Sequence, residues 1–123
     1  MNVLAWILSG LLAAIFLLVG LGKLTQPRAK LQESGRMDWV EDFSDGQVKG
    51  IGALELLGAL GLVLPWALGI AKVLTPVAAL GLAAVMGGAV VTHLRRKEQS
   101  AAVAPAVLCV LAVVVAVLRF TQL

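Results

Sequence analysis

The chain has 123 residues, a formal net charge of +3 and one cysteine, and 60% of its residues are hydrophobic before 13 glycines are counted, whereas globular domains reach about 45–50% with glycine included. With only 14% charged residues against an ordinary ~25%, a water-soluble monomer and a disordered chain are excluded. The lone cysteine excludes a disulfide scaffold, and basic residues scattered over short connections exclude a nucleic-acid binder, which needs a basic face.

Met1 to Gly22 carries no charged side chain and is long enough to cross a bilayer. It is not a signal peptide in pattern, because no basic residue precedes Lys23 and its apolar run exceeds a signal core. It reads as a first transmembrane helix over 2–22. A positive charge that follows the apolar run directs the N-terminus outward.

The connection from Lys23 to Lys49 contains Met37, Trp39, Val40 and Phe43 among Arg36, Asp38, Glu41 and Asp42. That mixture suits a short helix lying at the membrane surface, with Trp39 and Phe43 as interfacial anchors. The alternative is an ordered loop with two aromatic plugs over the bundle.

Ser44 and Gln47 have the S-x-x-Q spacing of a capping box, which starts a second helix at Asp45. Pro65 is expected to end it near Leu64, and a helix over 45–64 is ~30 Å long, the thickness of the hydrocarbon core. The uncharged stretch Val73 to Val91 predicts a third helix over 72–91, and Ala101 to Leu118 a fourth over 101–119, with Pro105 placed to bend its start. The expected fold is all-α: a polytopic membrane four-helix bundle in one domain, with a short interfacial helix in the first loop.

Small residues recur on the second helix at Gly52, Gly58 and Gly61, and on the third at Ala84, Gly88 and Thr92. Such spacing lets helix backbones approach closely where lipid offers no hydrophobic drive. These residues are the expected helix-packing positions, with the second and third helices as the packed centre. The valine-rich run Val110 to Val117 suits a lipid-facing wall.

Four crossings put both termini on one side and the connections 23–49 and 92–100 on the other. Lys23, Arg28, Lys30, Arg36, Lys49, Arg95, Arg96 and Lys97 lie with those connections, while Lys72 and Arg119 lie opposite. The imbalance places the connections in the cytoplasm and both termini outside. Trp6 and Trp66 then fall near the outer surface as interfacial anchors.

Glu55 is the acidic residue within a spanning helix, ~7 Å past Gly50. Its helical neighbours Gly52, Gly58 and Ala59 are small, so its face meets another helix, where a carboxylate needs a proton or a partner. Lys23 and His93 end their helices at the same level, which makes Glu55, Lys23 and His93 a candidate intramembrane polar cluster. The plainer reading has Lys23 snorkelling to lipid phosphate, His93 capping its helix and Glu55 clamping helices together. Cys109 alone cannot cycle as a dithiol, and one histidine cannot supply both axial ligands of a buried haem or a three-histidine metal site. No metal site and no cofactor is expected.

The stretch Trp39-Val-Glu-Asp-Phe-Ser, followed by GQVKGIGALELLGALGLVLP, then Pro76 and a helix ending in THLRRKE, resembles the DoxX-like family of small four-helix bacterial membrane proteins. The likeness includes LGKL at Leu21 to Leu24 and is most specific at Gly52, Glu55, Gly58 and Gly61. The resemblance implies the bacterial cytoplasmic membrane and an accessory or assembly role in a membrane complex, redox or oxidative-stress linked, with a protein partner or homo-oligomer. The alternative is inner-leaflet binding of a quinone-like or other apolar small molecule or lipid, with Glu55 handling a proton.

Overall fold

The computed structural model describes residues 2–25 and 44–123, Asp45 by its backbone alone. The described residues form four α-helices: α1 (Asn2–Thr25), α2 (Asp45–Leu68), α3 (Leu74–Arg95) and α4 (Gln99–Thr121). The interfacial helix expected in the first connection, with Trp39 and Phe43, lies outside the described residues. All four helices are long and apolar enough to cross a membrane. Large apolar side chains on the outer surface, including Val3, Leu18, Leu57, Leu68 and Val110, are more than half exposed. Such helices, apolar on every side, belong to an integral membrane protein.

The capping box at the start of α2 is formed: the Gln47 amide donates to Ser44 Oγ at 3.0 Å, and the Ser44 amide donates to Gln47 Oε1 at 2.9 Å. Its other end corrects the expectation. Pro65 does not stop the helix, which continues to Leu68. A proline lacks the amide hydrogen that the carbonyl four residues earlier would accept, and here that carbonyl, on Gly61, accepts instead from the Thr75 hydroxyl of α3 at 2.9 Å. The helix ends at Gly69, whose φ of 68° permits the left-handed turn. There the Ile70 amide donates to the Pro65 carbonyl and the Gly69 amide to that of Trp66, closing a Schellman motif.

The helices pack in a ring in chain order. The α1–α2 and α3–α4 pairs are the most extensive, α2–α3 follows, and α1–α4 is the thinnest seam. The expected centre of α2 and α3 is therefore corrected to two hairpins joined across a shared core of Leu12, Phe16, Leu62, Leu82, Met86 and Val115. Gly58 and Gly61 do face α3: a Cβ on Gly58 would lie 2.6 Å from Leu82, and one on Gly61 2.7 Å from Ala78. Gly52 faces α1 instead, where a Cβ would lie 2.7 Å from that of Lys23.

The stripe of Ala84, Gly88 and Thr92 is also corrected. Ala84 and Gly88 are exposed, nothing among the described residues lies within 4 Å of a Cβ on Gly88, and the Thr92 hydroxyl bonds within its own helix to the Gly88 carbonyl at 2.9 Å. The larger side chains Leu82 and Met86, with Ala79 and Ala83, occupy the buried face of α3 and turn the small stripe away from the core. On α4, Val110, Val113 and Val117 face outward while Ala112, Val115 and Ala116 join the core, so the valine run is only partly a wall.

Candidate functional site

Gly20 and Gly52 bring the ends of α1 and α2 together, since a Cβ on Gly20 would lie 2.8 Å from the Gly52 carbonyl oxygen. One turn beyond each glycine stand Lys23 and Glu55. Their side chains meet inside the bundle, Lys23 Nζ donating to Glu55 Oε1 at 2.5 Å, with Lys23 5% and Glu55 1% exposed. The pairing satisfies both charges in a medium where either alone is costly. Glu55 Oε2 is buried and accepts no hydrogen bond from the described residues.

A cavity of about 240 Å³ opens beside this pair, lined by Phe16, Lys23, Glu55, Met86, His93 and Pro105 among others. Its walls come from all four helices, with residues of α1 and α4 bordering the seam where these two pack least. His93 lines the cavity without bonding to the pair. Its Nδ1 lies 3.0 Å from Glu98 Oε1, to which Arg96 Nε also donates at 3.1 Å. The hydrogen bond with His93, followed by that from Arg96, holds the Glu98 carboxyl below its ordinary range. Of the three residues expected to converge, Lys23 and Glu55 thus bond directly, and His93 shares their cavity while tied to the α3–α4 turn.

The opposite end of the bundle holds a cluster that sequence reasoning missed. Arg119 is 0% exposed. Its guanidinium carbon lies 4.9 Å from the ring centroid of Trp6 and 4.4 Å from that of Trp66, and Nη1 donates to Asn2 Oδ1 at 2.9 Å and Gln122 Oε1 at 2.7 Å. Trp66 also faces Lys72 Nζ at 5.2 Å. The tryptophans expected as interfacial anchors are thus turned onto a buried cation, which ties α1, α2 and α4 together. The available signal was depth: Trp6 near the start of α1 and Trp66 and Arg119 near the ends of α2 and α4 all lie at the same end of the bundle.

Cys109 Sγ contacts the Ala83 carbonyl oxygen at 3.4 Å, a packing position on α4. Among the described residues, no three His, Cys, Asp or Glu side chains come together as metal ligands. No curated protein and no solved structure matches the chain. A family model described as the DoxX-like family matches residues 7–115, from the first turns of α1 well into α4. Covering most of the chain and all four helices, that match means the protein belongs to the DoxX-like family.

Proposed function

We propose that this integral membrane protein binds a small, largely apolar molecule with a carbonyl or hydroxyl oxygen, of the quinone type, in the cavity beside Lys23 and Glu55. The observation that carries this reading is the buried Glu55 Oε2, without a partner among the described residues, within the lining of that cavity. An ammonium and a carboxylate side by side offer a donor to a carbonyl oxygen and an acceptor to a hydroxyl, so the site suits a ligand oxygen that gains or loses a proton. Its volume is below the ~300–1,000 Å³ of pockets for drug-sized ligands. It therefore takes a ring-sized head while any tail lies in lipid along the α1–α4 seam.

The membrane is a bacterial cytoplasmic membrane, with both termini outside and the connections 23–49 and 92–100 in the cytoplasm. The surplus of basic residues at those connections supports the orientation, and the membrane assignment follows from the resemblance alone. An accessory or assembly role in a membrane complex is the second reading, favoured by the apolar furrow lined by Leu54, Leu57, Val77 and Gly81, which leaves room for a neighbouring helix.

Thermal unfolding of the purified protein with a short-chain benzoquinone tests the ligand reading. At a hundredfold excess over Kd, binding adds ~2.7 kcal/mol of stability. Glu55→Gln should fold but lose most of this gain, and Ala104→Phe, at the cavity rim, should lose it through filled space. A quinone effect equal in parent and both variants, or absent from all, sinks the reading and leaves Glu55 as a helix clamp.

A further inference from the structure

A second, larger hollow runs between α2 and α3 on the outside of the bundle. It has a volume of about 530 Å³, with Ile51, Ala84, Gly88 and Val91 along it, Arg95 at its end, and Lys23 and His93 on the wall it shares with the first cavity, where they are engaged by Glu55 and Glu98. From the geometry of this furrow we infer that it is a binding site for one anionic phospholipid, an acyl chain lying along Ala84 and Gly88 and the phosphate at Arg95.

Length is the first argument. Eleven residues separate Ala84 from Arg95, which at ~1.5 Å per residue is ~16 Å, close to half of a ~30 Å hydrocarbon core. The furrow therefore accommodates a chain from a single leaflet.

The second argument is the chemistry along it. Ala84 and Gly88 are exposed, no atom of the described residues lies within 4 Å of a Cβ on Gly88, and the Thr92 hydroxyl is already committed to the Gly88 carbonyl. Along Ala84, Gly88 and Val91 the floor is thus apolar, with the nearest hydroxyl already bonded.

Charge decides the occupant. Arg95 ends α3 exposed and without a carboxylate partner among the described residues, while the nearby Glu98 is shared by His93 and Arg96. A neighbouring furrow of about 560 Å³ continues toward the other membrane face, sharing Ala84 and Val85, and none of the described residues lining it is charged. An apolar helix docked along α3 would follow both furrows and leave Arg95 without a counter-ion. An anionic lipid uses the half with a cation at headgroup depth, the arrangement by which basic pockets between spanning helices hold acidic headgroups.

The test measures lipid retention by the full-length protein in detergent, using native mass spectrometry with phosphatidylglycerol, phosphatidylcholine or inorganic phosphate added singly. One phosphatidylglycerol per chain should be retained, with about fivefold preference over phosphatidylcholine for one basic residue engaged, and inorganic phosphate should not bind. Arg95→Gln should remove the preference. Gly88→Leu, projecting into open space, should fold and lose the lipid, whereas Ala104→Phe should keep it, separating this site from the quinone cavity. Equal retention of both lipids by the parent would overturn the proposal, as would retention unaffected by Arg95→Gln and Gly88→Leu. So would inorganic phosphate binding alone, or a lipid-independent dimer that Gly88→Leu disrupts.

Discussion

Gly20 and Gly52 touch backbone to backbone, and the absence of side chains at these two positions lets Lys23 reach Glu55. A Cβ on Gly52 would lie 2.7 Å from the Lys23 Cβ and 2.9 Å from the Gly20 carbonyl oxygen, neither of which can yield without moving a helix. Gly52→Ala should therefore cost ~1–3 kcal/mol in detergent unfolding and strain the ion pair. Gly88→Ala meets no atom and should be neutral or stabilise by up to ~1 kcal/mol, alanine being the better helix former. Equal losses at both positions would contradict this arrangement of α1, α2 and α3.

The Thr75 hydroxyl replaces the hydrogen bond that Pro65 cannot make. Thr75→Val should cost ~1–3 kcal/mol by leaving the Gly61 carbonyl unsatisfied. Adding Pro65→Ala supplies an amide for that carbonyl and should recover part of the loss. The decisive quantity is the interaction energy in a double-mutant cycle of unfolding midpoints. Strict additivity would refute the compensation.

Arg119 joins three helices through its planar guanidinium. Arg119→Lys keeps the charge but cannot reproduce the bonds from Nη1 together with stacking on Trp6 and Trp66, and it should lose about 1–3 kcal/mol. Trp66→Leu should lose a comparable amount, and the double variant less than the sum. A fully stable Arg119→Lys protein would show that charge alone suffices.

The Glu98 carboxyl is held below its ordinary range by His93 first and Arg96 second. A carboxyl with a depressed folded-state pKa contributes stability above its unfolded value of about 4.3, and that contribution disappears as pH falls through the folded value. Hydrogen exchange at the amides of the α3–α4 turn should accelerate, beyond its intrinsic pH dependence, as the pH is lowered below about 4. Glu98→Gln should abolish that step and leave the turn insensitive over the same window.

Orientation is checked by thiol labelling of intact cells. In a Cys109→Ala background, a cysteine at Gln99 should react with a permeant reagent and be protected from an impermeant one added outside. Rapid impermeant labelling would invert the topology.

Spans, caps and depth were legible in the sequence because each depends on local physics. A segment in lipid must satisfy its own backbone, so an uncharged run of sufficient length declares a helix. Ser44 and Gln47 declare the start of α2 by spacing alone. The common depth of Lys23, Glu55 and His93 follows from counting residues along the helices. The end of α2 was not legible, because the partner of the Gly61 carbonyl comes from another helix.

What only the tertiary structure decided is how each helix is rotated about its axis. A helix buried in lipid is apolar on every side, so hydrophobic periodicity does not say which face turns inward. On α3 the fit of Leu82 and Met86 into the core outweighed the close approach that Ala84, Gly88 and Thr92 would have allowed. The same choice set Gly52 against Gly20, joined Lys23 to Glu55 while leaving His93 with Glu98, and enclosed Arg119 between two tryptophans. Residue types and their depth belong to the sequence. Which side chains meet at a given depth depends on packing between helices, whose energies arise only once the helices are assembled.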